Sequence, residues 1–207
     1  MRLTVCDHPL IQEKLGVLRD KHTSSENFRA RLSEVSALMG YEVFKGLRTR
    51  KTTVATPLKT SAAVVIDQPI ALVAVLRAGL GLLPGLLQIA PQARVGHIGL
   101  YRNEETLNPV RYYVRLPKDM AESFVVLCDP MLATGGSAVE AIRILKTDGA
   151  KQIALMSLLA AKAGVQRVHQ AHPDVAIFTA GLDAVLNKKG YIVPGLGDAG
   201  DRQFATV

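Results

Sequence analysis

Phe124-Val125-Val126-Leu127-Cys128-Asp129-Pro130-Met131-Leu132-Ala133-Thr134-Gly135-Gly136-Ser137 is an apolar stretch that stops at an acid and runs into a loop of small and hydroxyl residues. A helical pattern follows, with Val139, Ile142, Ile144 and Leu145 spaced among charges. Strand, acid, glycine-bearing loop and helix start together form a cradle for a phosphate. Glycines let backbone N–H groups come close to an anion, Thr134 and Ser137 add hydroxyl donors, and the helix N-terminus adds a favourable dipole. Asp129 can hold sugar hydroxyls or a metal, so a phosphorylated sugar satisfies both halves. A turn of this kind can also be a bare connection. Ser137 follows Gly136 directly, where a nucleotide-triphosphatase loop needs a lysine, which argues against that class.

Working outward, the pattern alternates strand and helix. The sequence predicts strands over 70–76, 95–101, 110–116, 124–128, 153–160 and 175–179, with helices over 80–89, 137–146 and 164–170. Near-continuous apolar strands between helices predict an α/β fold, a mainly parallel sheet with helices on both faces. Ahead of it lies a helical N-terminal segment. Thr23-Ser24-Ser25-Glu26 reads as a capping box, and Phe28, Leu32, Val35, Met39 and Val43 follow at helical spacing. Residues 52–66 read as extended. No repeat, linker or low-complexity tract divides the chain, so residues 1–207 read as one domain.

Ligands in such sheets sit at the carboxyl ends of the strands. Three strands end there in functional residues: the 70–76 strand in Arg77-Ala78-Gly79, the 95–101 strand in Arg102, and the 124–128 strand in Asp129. Arginine suits bidentate contact with phosphate. The polar loop 102–109 is either a plain connection or a lid that excludes water. The tail Lys188-Lys189-Gly190-Tyr191-Ile192-Val193-Pro194-Gly195-Leu196-Gly197-Asp198-Ala199-Gly200-Asp201-Arg202 contains a GxGxxG pattern. A dinucleotide site is rejected there, because Pro194 precedes it and no helix or ribose-binding acid is expected before the chain ends. Its apolar residues fit a loop that presents backbone groups to a small planar ligand.

Composition narrows the rest. With 48% apolar residues and no bilayer-length apolar run, neither a disordered nor a membrane protein is expected. The first residues lack a signal-peptide core, so the cytoplasm is the expected location. Cys6 and Cys128 form neither a metal spacing nor a disulfide framework. Net charge is +7, which suits polyanionic substrates as well as nucleic acid. The densest basic cluster, Arg48, Arg50 and Lys51, reads as a solvated turn, and no nucleic-acid partner is expected. His97 reads as a core residue in mid-strand. His169 and His172 read as a surface pair at a helix end, not as metal ligands.

The Asp-x-x-x-x-Thr-Gly-Gly-Ser order resembles the phosphoribosyl-pyrophosphate (PRPP) loop of the type I phosphoribosyltransferases, although Pro130 stands where many members carry a second acid. Leu76-Arg77-Ala78-Gly79, Gly96-His97-Ile98-Gly99-Leu100-Tyr101-Arg102 and the tail from Tyr191 to Arg202 make the chain similar to the uracil phosphoribosyltransferase family within that class. The resemblance implies a type I phosphoribosyltransferase fold with a C-terminal base-binding hood. It implies transfer of the phosphoribosyl group to N1 of uracil, giving UMP in pyrimidine salvage. Asp129, Pro130, Met131, Leu132, Ala133, Thr134, Gly135, Gly136 and Ser137 would hold the phosphoribosyl end, with Arg77 and Arg102 on the pyrophosphate. Ile192, Gly197, Asp198 and Ala199 would bind uracil, Asp198 also facing PRPP. Arg77, Arg102 and Asp198 are the implied catalytic residues. The family also implies Mg2+ carried mainly by the pyrophosphate with no dedicated protein metal site, a homodimer or higher homo-oligomer, and, in some members, allosteric activation by GTP. Two function classes stay open: this transferase, or an RNA-binding regulator of the same fold. The tail motif favours the first.

Overall fold

The computed structural model describes residues 3–102 and 109–206 of the chain. Its elements run β1 (Leu3–Val5), α1 (Pro9–Arg19), α2 (Ser25–Val43), β2 (Thr49–Ala55), β3 (Thr60–Ile66), β4 (Ile70–Leu76), α3 (Leu83–Ile89), β5 (Arg94–Arg102), β6 (Pro109–Arg115), β7 (Phe124–Cys128), β8 (Met131–Leu132), α4 (Gly136–Thr147), β9 (Gln152–Ala161), α5 (Lys162–Ala171), β10 (Ala176–Asp183), β11 (Val185–Leu186), β12 (Ile192–Val193) and α6 (Ala199–Phe204). The main sheet has the order β1-β10-β9-β7-β4-β5-β6, with β8 alongside β9. Every pairing is parallel except β5 with β6.

Alternation along each strand assigns the two faces. Leu72 and Ala74 of β4 join Phe28, Leu32 and Met39 of α2 and Leu15 and Leu18 of α1 in one core. Ala71, Val73 and Val75 join Ala141, Ile142 and Leu145 of α4 and Val165 and Val168 of α5 in the other. Leucine- and valine-rich strands are the sequence consequence of being covered on both sides. The carboxyl ends of β4, β5 and β7 therefore lie on one edge, and Arg77, Arg102 and Asp129 stand there together.

Several expectations change. The N-terminus opens with a strand, β1, at the far edge of the sheet, and not with helix. The cap of α2 is Ser24, whose Oγ accepts the Asn27 N–H at 3.2 Å, while the Thr23 hydroxyl donates to the Val17 carbonyl. Arg48, Arg50 and Lys51 belong to the exposed approach and first strand of an antiparallel hairpin, β2–β3, that is not part of the main sheet. A helix does follow the tail glycines: Asp198 caps α6 by accepting the Asp201 N–H at 2.9 Å, and six residues suffice for a turn and a half. Among the described residues, no helix is long and apolar enough to cross a membrane.

Candidate active site

The loop after β7 is shaped by Gly135. Its φ is 79°, a left-handed geometry that costs other residues energy, and it serves as the N-cap from which α4 starts at Gly136. The loop therefore presents the start of a twelve-residue helix to whatever lies in front of it. Gly79 serves a different need. A Cβ there would lie 2.3 Å from the Cys128 carbonyl oxygen, so only glycine lets the Arg77-Ala78-Gly79 turn press against the end of β7.

The turn and the loop enclose a cavity of about 370 Å³. Arg77, Ala78, Asp129, Asp198 and residues 131–137 line it, with Leu100 and Gly190. A second cavity of about 210 Å³ is lined by Tyr191, Ile192, Gly197, Asp198, Ala199 and Gly200. The two share Ala78, Met131, Ala133, Gly190, Asp198 and Gly200, so they are adjoining compartments. Pro130 does not line either compartment; it is buried behind the loop, where its carbonyl accepts the Leu159 N–H.

Burial pushes the Asp129 carboxyl up to about 6, partly countered by the Met131 N–H donating to it at 3.4 Å. At neutral pH Asp129 is still a carboxylate, an acceptor for hydroxyl donors. Arg77 extends to Asp201 at 3.0 Å and lies 5.9 Å from the Phe204 ring. That pair is largely exposed, so it holds Arg77 only weakly. Arg102 ends β5 at the same edge, paired in register with Pro109. Its side chain and the expected lid over 103–108 lie outside the described residues. The Leu76–Arg77 and Val193–Pro194 peptides are cis.

The uracil phosphoribosyltransferase family model matches residues 5–206. The chain belongs to the uracil phosphoribosyltransferase family. A Clostridium perfringens uracil phosphoribosyltransferase is 54% identical over 206 residues, 99% of each chain. A protein of Aquifex aeolicus with a solved structure superimposes with a TM-score of 0.92 at 38% identity, covering 99% of this chain and 98% of that one. The Trypanosoma brucei adenine phosphoribosyl transferase, solved with AMP, pyrophosphate and ribose-5-phosphate, gives a TM-score of 0.59 at 17% identity, over 93% of this chain and 85% of that one. At that identity it shows the shared type I phosphoribosyltransferase fold alone.

Within this family frame, one lining position and two residues behind the lining are ones that sequence reasoning missed. Gly190 reaches both compartments because the Asn187 side chain accepts the N–H groups of Lys189 and Tyr191, tightening the turn between β11 and β12. The Asn-Lys-Lys-Gly turn was the available signal. Asp183 and Arg19, which hold the Gly195 backbone from behind the tail loop, carried no local signal at all. Three histidine expectations meet the structure differently. His97 is half-buried in β5 and does not line either compartment. His172 lies with Nε2 3.1 Å from the Val139 carbonyl of α4. His169 is partly exposed in α5, but both ring nitrogens are turned away from water, and burial lowers its pKa.

Mg2+ is usually held by one or two carboxylates together with substrate phosphates. Asp129 and Asp198 are the two carboxylates lining the larger compartment, a donor set that fits this mode. Among the described residues there is no group of three or more His, Cys, Asp or Glu suited to a metal.

Proposed function

We propose that this protein transfers the 5-phosphoribosyl group from PRPP to N1 of uracil, giving UMP and pyrophosphate, a pyrimidine-salvage step carried out in the cytoplasm by a single phosphoribosyltransferase domain. One observation carries the reading. The compartment built on residues 129–137 adjoins the compartment built on the tail, so a phosphoribosyl group and a base can meet at their shared wall.

The chemistry follows from the lining. The N–H groups of the loop and the start of α4 hold the 5′-phosphate, with Thr134 and Ser137 hydroxyls beside them. Asp129 accepts from the ribose hydroxyls. The bond from ribose C1 to pyrophosphate breaks as the bond from C1 to N1 of uracil forms, and the N1 proton is lost. Negative charge grows on the leaving pyrophosphate, and Arg77 and Arg102 stabilise it, the type of contribution that dominates in such sites. Asp129 and Asp198 would hold Mg2+ together with the pyrophosphate, and the ion would supply further charge neutralisation. Uracil lies against Ile192, Gly197, Asp198 and Ala199. Backbone groups there can match its O2, N3–H and O4 in order.

The same proposal includes a homodimer or higher homo-oligomer. The β2–β3 hairpin exposes Val54, Leu58, Val64, Val65 and Ile66, an apolar surface that a monomer would leave in water. GTP activation belongs to it as a family expectation. The test is UMP formation from uracil and PRPP with Mg2+, run beside hypoxanthine, adenine and orotate and repeated with GTP. Turnover of uracil alone supports the reading. Turnover of a purine or of orotate instead refutes it.

A further inference from the structure

The end of α1 and the base loop grip each other through two guanidinium groups. From the helix, Arg19 forks over Asp183, at 2.7 Å to Oδ1 and 2.8 Å to Oδ2, and also donates to the Gly195 carbonyl at 2.8 Å. Asp183 Oδ2 in turn accepts the Gly195 N–H at 3.0 Å. Both backbone polar groups of Gly195 are thus held by one ion pair. From α6, just after that loop, Arg202 donates to the carbonyls of Leu18, Asp20 and Leu196, the last two at 2.6 and 2.9 Å, and lies 4.6 Å over the Phe28 ring. Leu18 and Asp20 flank Arg19, where a helix end leaves carbonyls without intrahelical donors.

Neither Arg19 nor Asp183 lines either compartment. Gly195 sits three residues after Ile192 and two before Gly197, joined to the first through Pro194, whose ring fixes its own φ. Moving Gly195 therefore moves both. Recognition of a base by backbone groups tolerates little displacement, because such donors and acceptors must stand within about 0.5 Å of their working positions.

We propose that Arg19 and Asp183 are positioning residues for the base site, fixing Gly195 and through it the groups that select uracil. This rests on the reading of the 192–199 loop as the uracil site. The burial of Asp183, at 8% exposure, keeps water from substituting for the guanidinium. A lysine replaces it only in part, since its single ammonium nitrogen cannot reproduce the two-nitrogen fork over both carboxylate oxygens.

The test uses the full chain with Arg19→Gln, Arg19→Lys and Asp183→Asn, measuring uracil KM, PRPP KM, kcat and thermal melting. Arg19→Gln should raise uracil KM on the order of tenfold, the scale of one misplaced hydrogen-bonded contact, while PRPP KM stays within about twofold. Arg19→Lys should fall between it and the wild type, and Asp183→Asn should move uracil KM the same way. An unchanged uracil KM in folded variants overturns the inference, as does a matching rise in both constants. If all three variants fail to fold, the pair serves the fold and the inference is equally overturned. The functional reading fails separately, in a wild type that makes no UMP.

Discussion

Replacing Gly135 by alanine should damage the fold and the phosphate site together, whereas the same change at Gly136 should touch only the second. At Gly135 a Cβ would lie 2.9 Å from the Gly164 carbonyl oxygen and 3.3 Å from Arg167 Cβ, on a backbone with φ of 79°. Left-handed backbone alone costs an L-residue about 1–2 kcal/mol. The neighbour cannot easily retreat, because Gly164 is itself pressed against the Leu132 and Ala133 carbonyls. For a chain of this size each kcal/mol lowers Tm by about 2–4 °C, so Gly135→Ala should melt roughly 2–8 °C early. At Gly136 the added carbon meets Arg167 Nη1 at 3.5 Å, an ordinary contact, and no positive φ is required. Its Tm should stay within about 2 °C of the wild type. Thermal melts and PRPP titrations on both variants read the two effects apart. Both should bind PRPP more weakly, since both add bulk where amides approach an anion. A Gly135→Ala protein that melts within about 1 °C of the wild type refutes the strain argument. Normal PRPP affinity in both refutes the placement of the phosphate.

Arg77→Ala should lower kcat on the order of 10²–10³, by analogy with removing one charge-stabilising donor. Its melt should hardly change, because the exposed Asp201 pair that it loses is worth about 0–1 kcal/mol; a large Tm drop with normal turnover would reverse the assignment. PRPP KM should rise as pH falls through about 6, where the Asp129 carboxyl gains a proton and stops accepting ribose hydroxyls. The stability effect of that group has the opposite sign. Its carboxyl is raised from 3.8 to about 6 by folding, so it penalises the folded state above that window, and the penalty is relieved as pH falls through it. Asp129→Asn should flatten the KM profile, and a wild-type profile already flat across that range counts against the role. Cytosine should be essentially refused, since it reverses the pattern at N3 and at the exocyclic group and leaves buried partners unpaired; comparable kcat/KM for the two bases would move the base site elsewhere.

The loop proposed to hold the phosphate was legible because its logic is local. Strand, acid, glycine loop and helix start occupy fourteen consecutive residues, and hydrophobic period and loop chemistry announce each part. The parallel sheet was readable for the same reason, strand by strand. The carboxyl-edge rule then brought Arg77, Arg102 and Asp129 together without any knowledge of contacts. The loop proposed to take the base was legible as a loop for a small planar ligand, but uracil as that ligand came only from likeness to a known family, because a loop that works through backbone groups leaves little trace in side-chain chemistry. What holds that loop was not readable at all. Arg19 and Asp183 are 164 residues apart, and Arg202 and Leu18 are 184 apart. A hydrogen bond across such a separation imposes no period and no motif on either partner. The same holds for β1, three residues that pair with β10 at the other end of the chain. Local propensity and pattern specify elements and the chemistry that sits at their ends; which distant groups meet behind a loop is decided only when the core has packed.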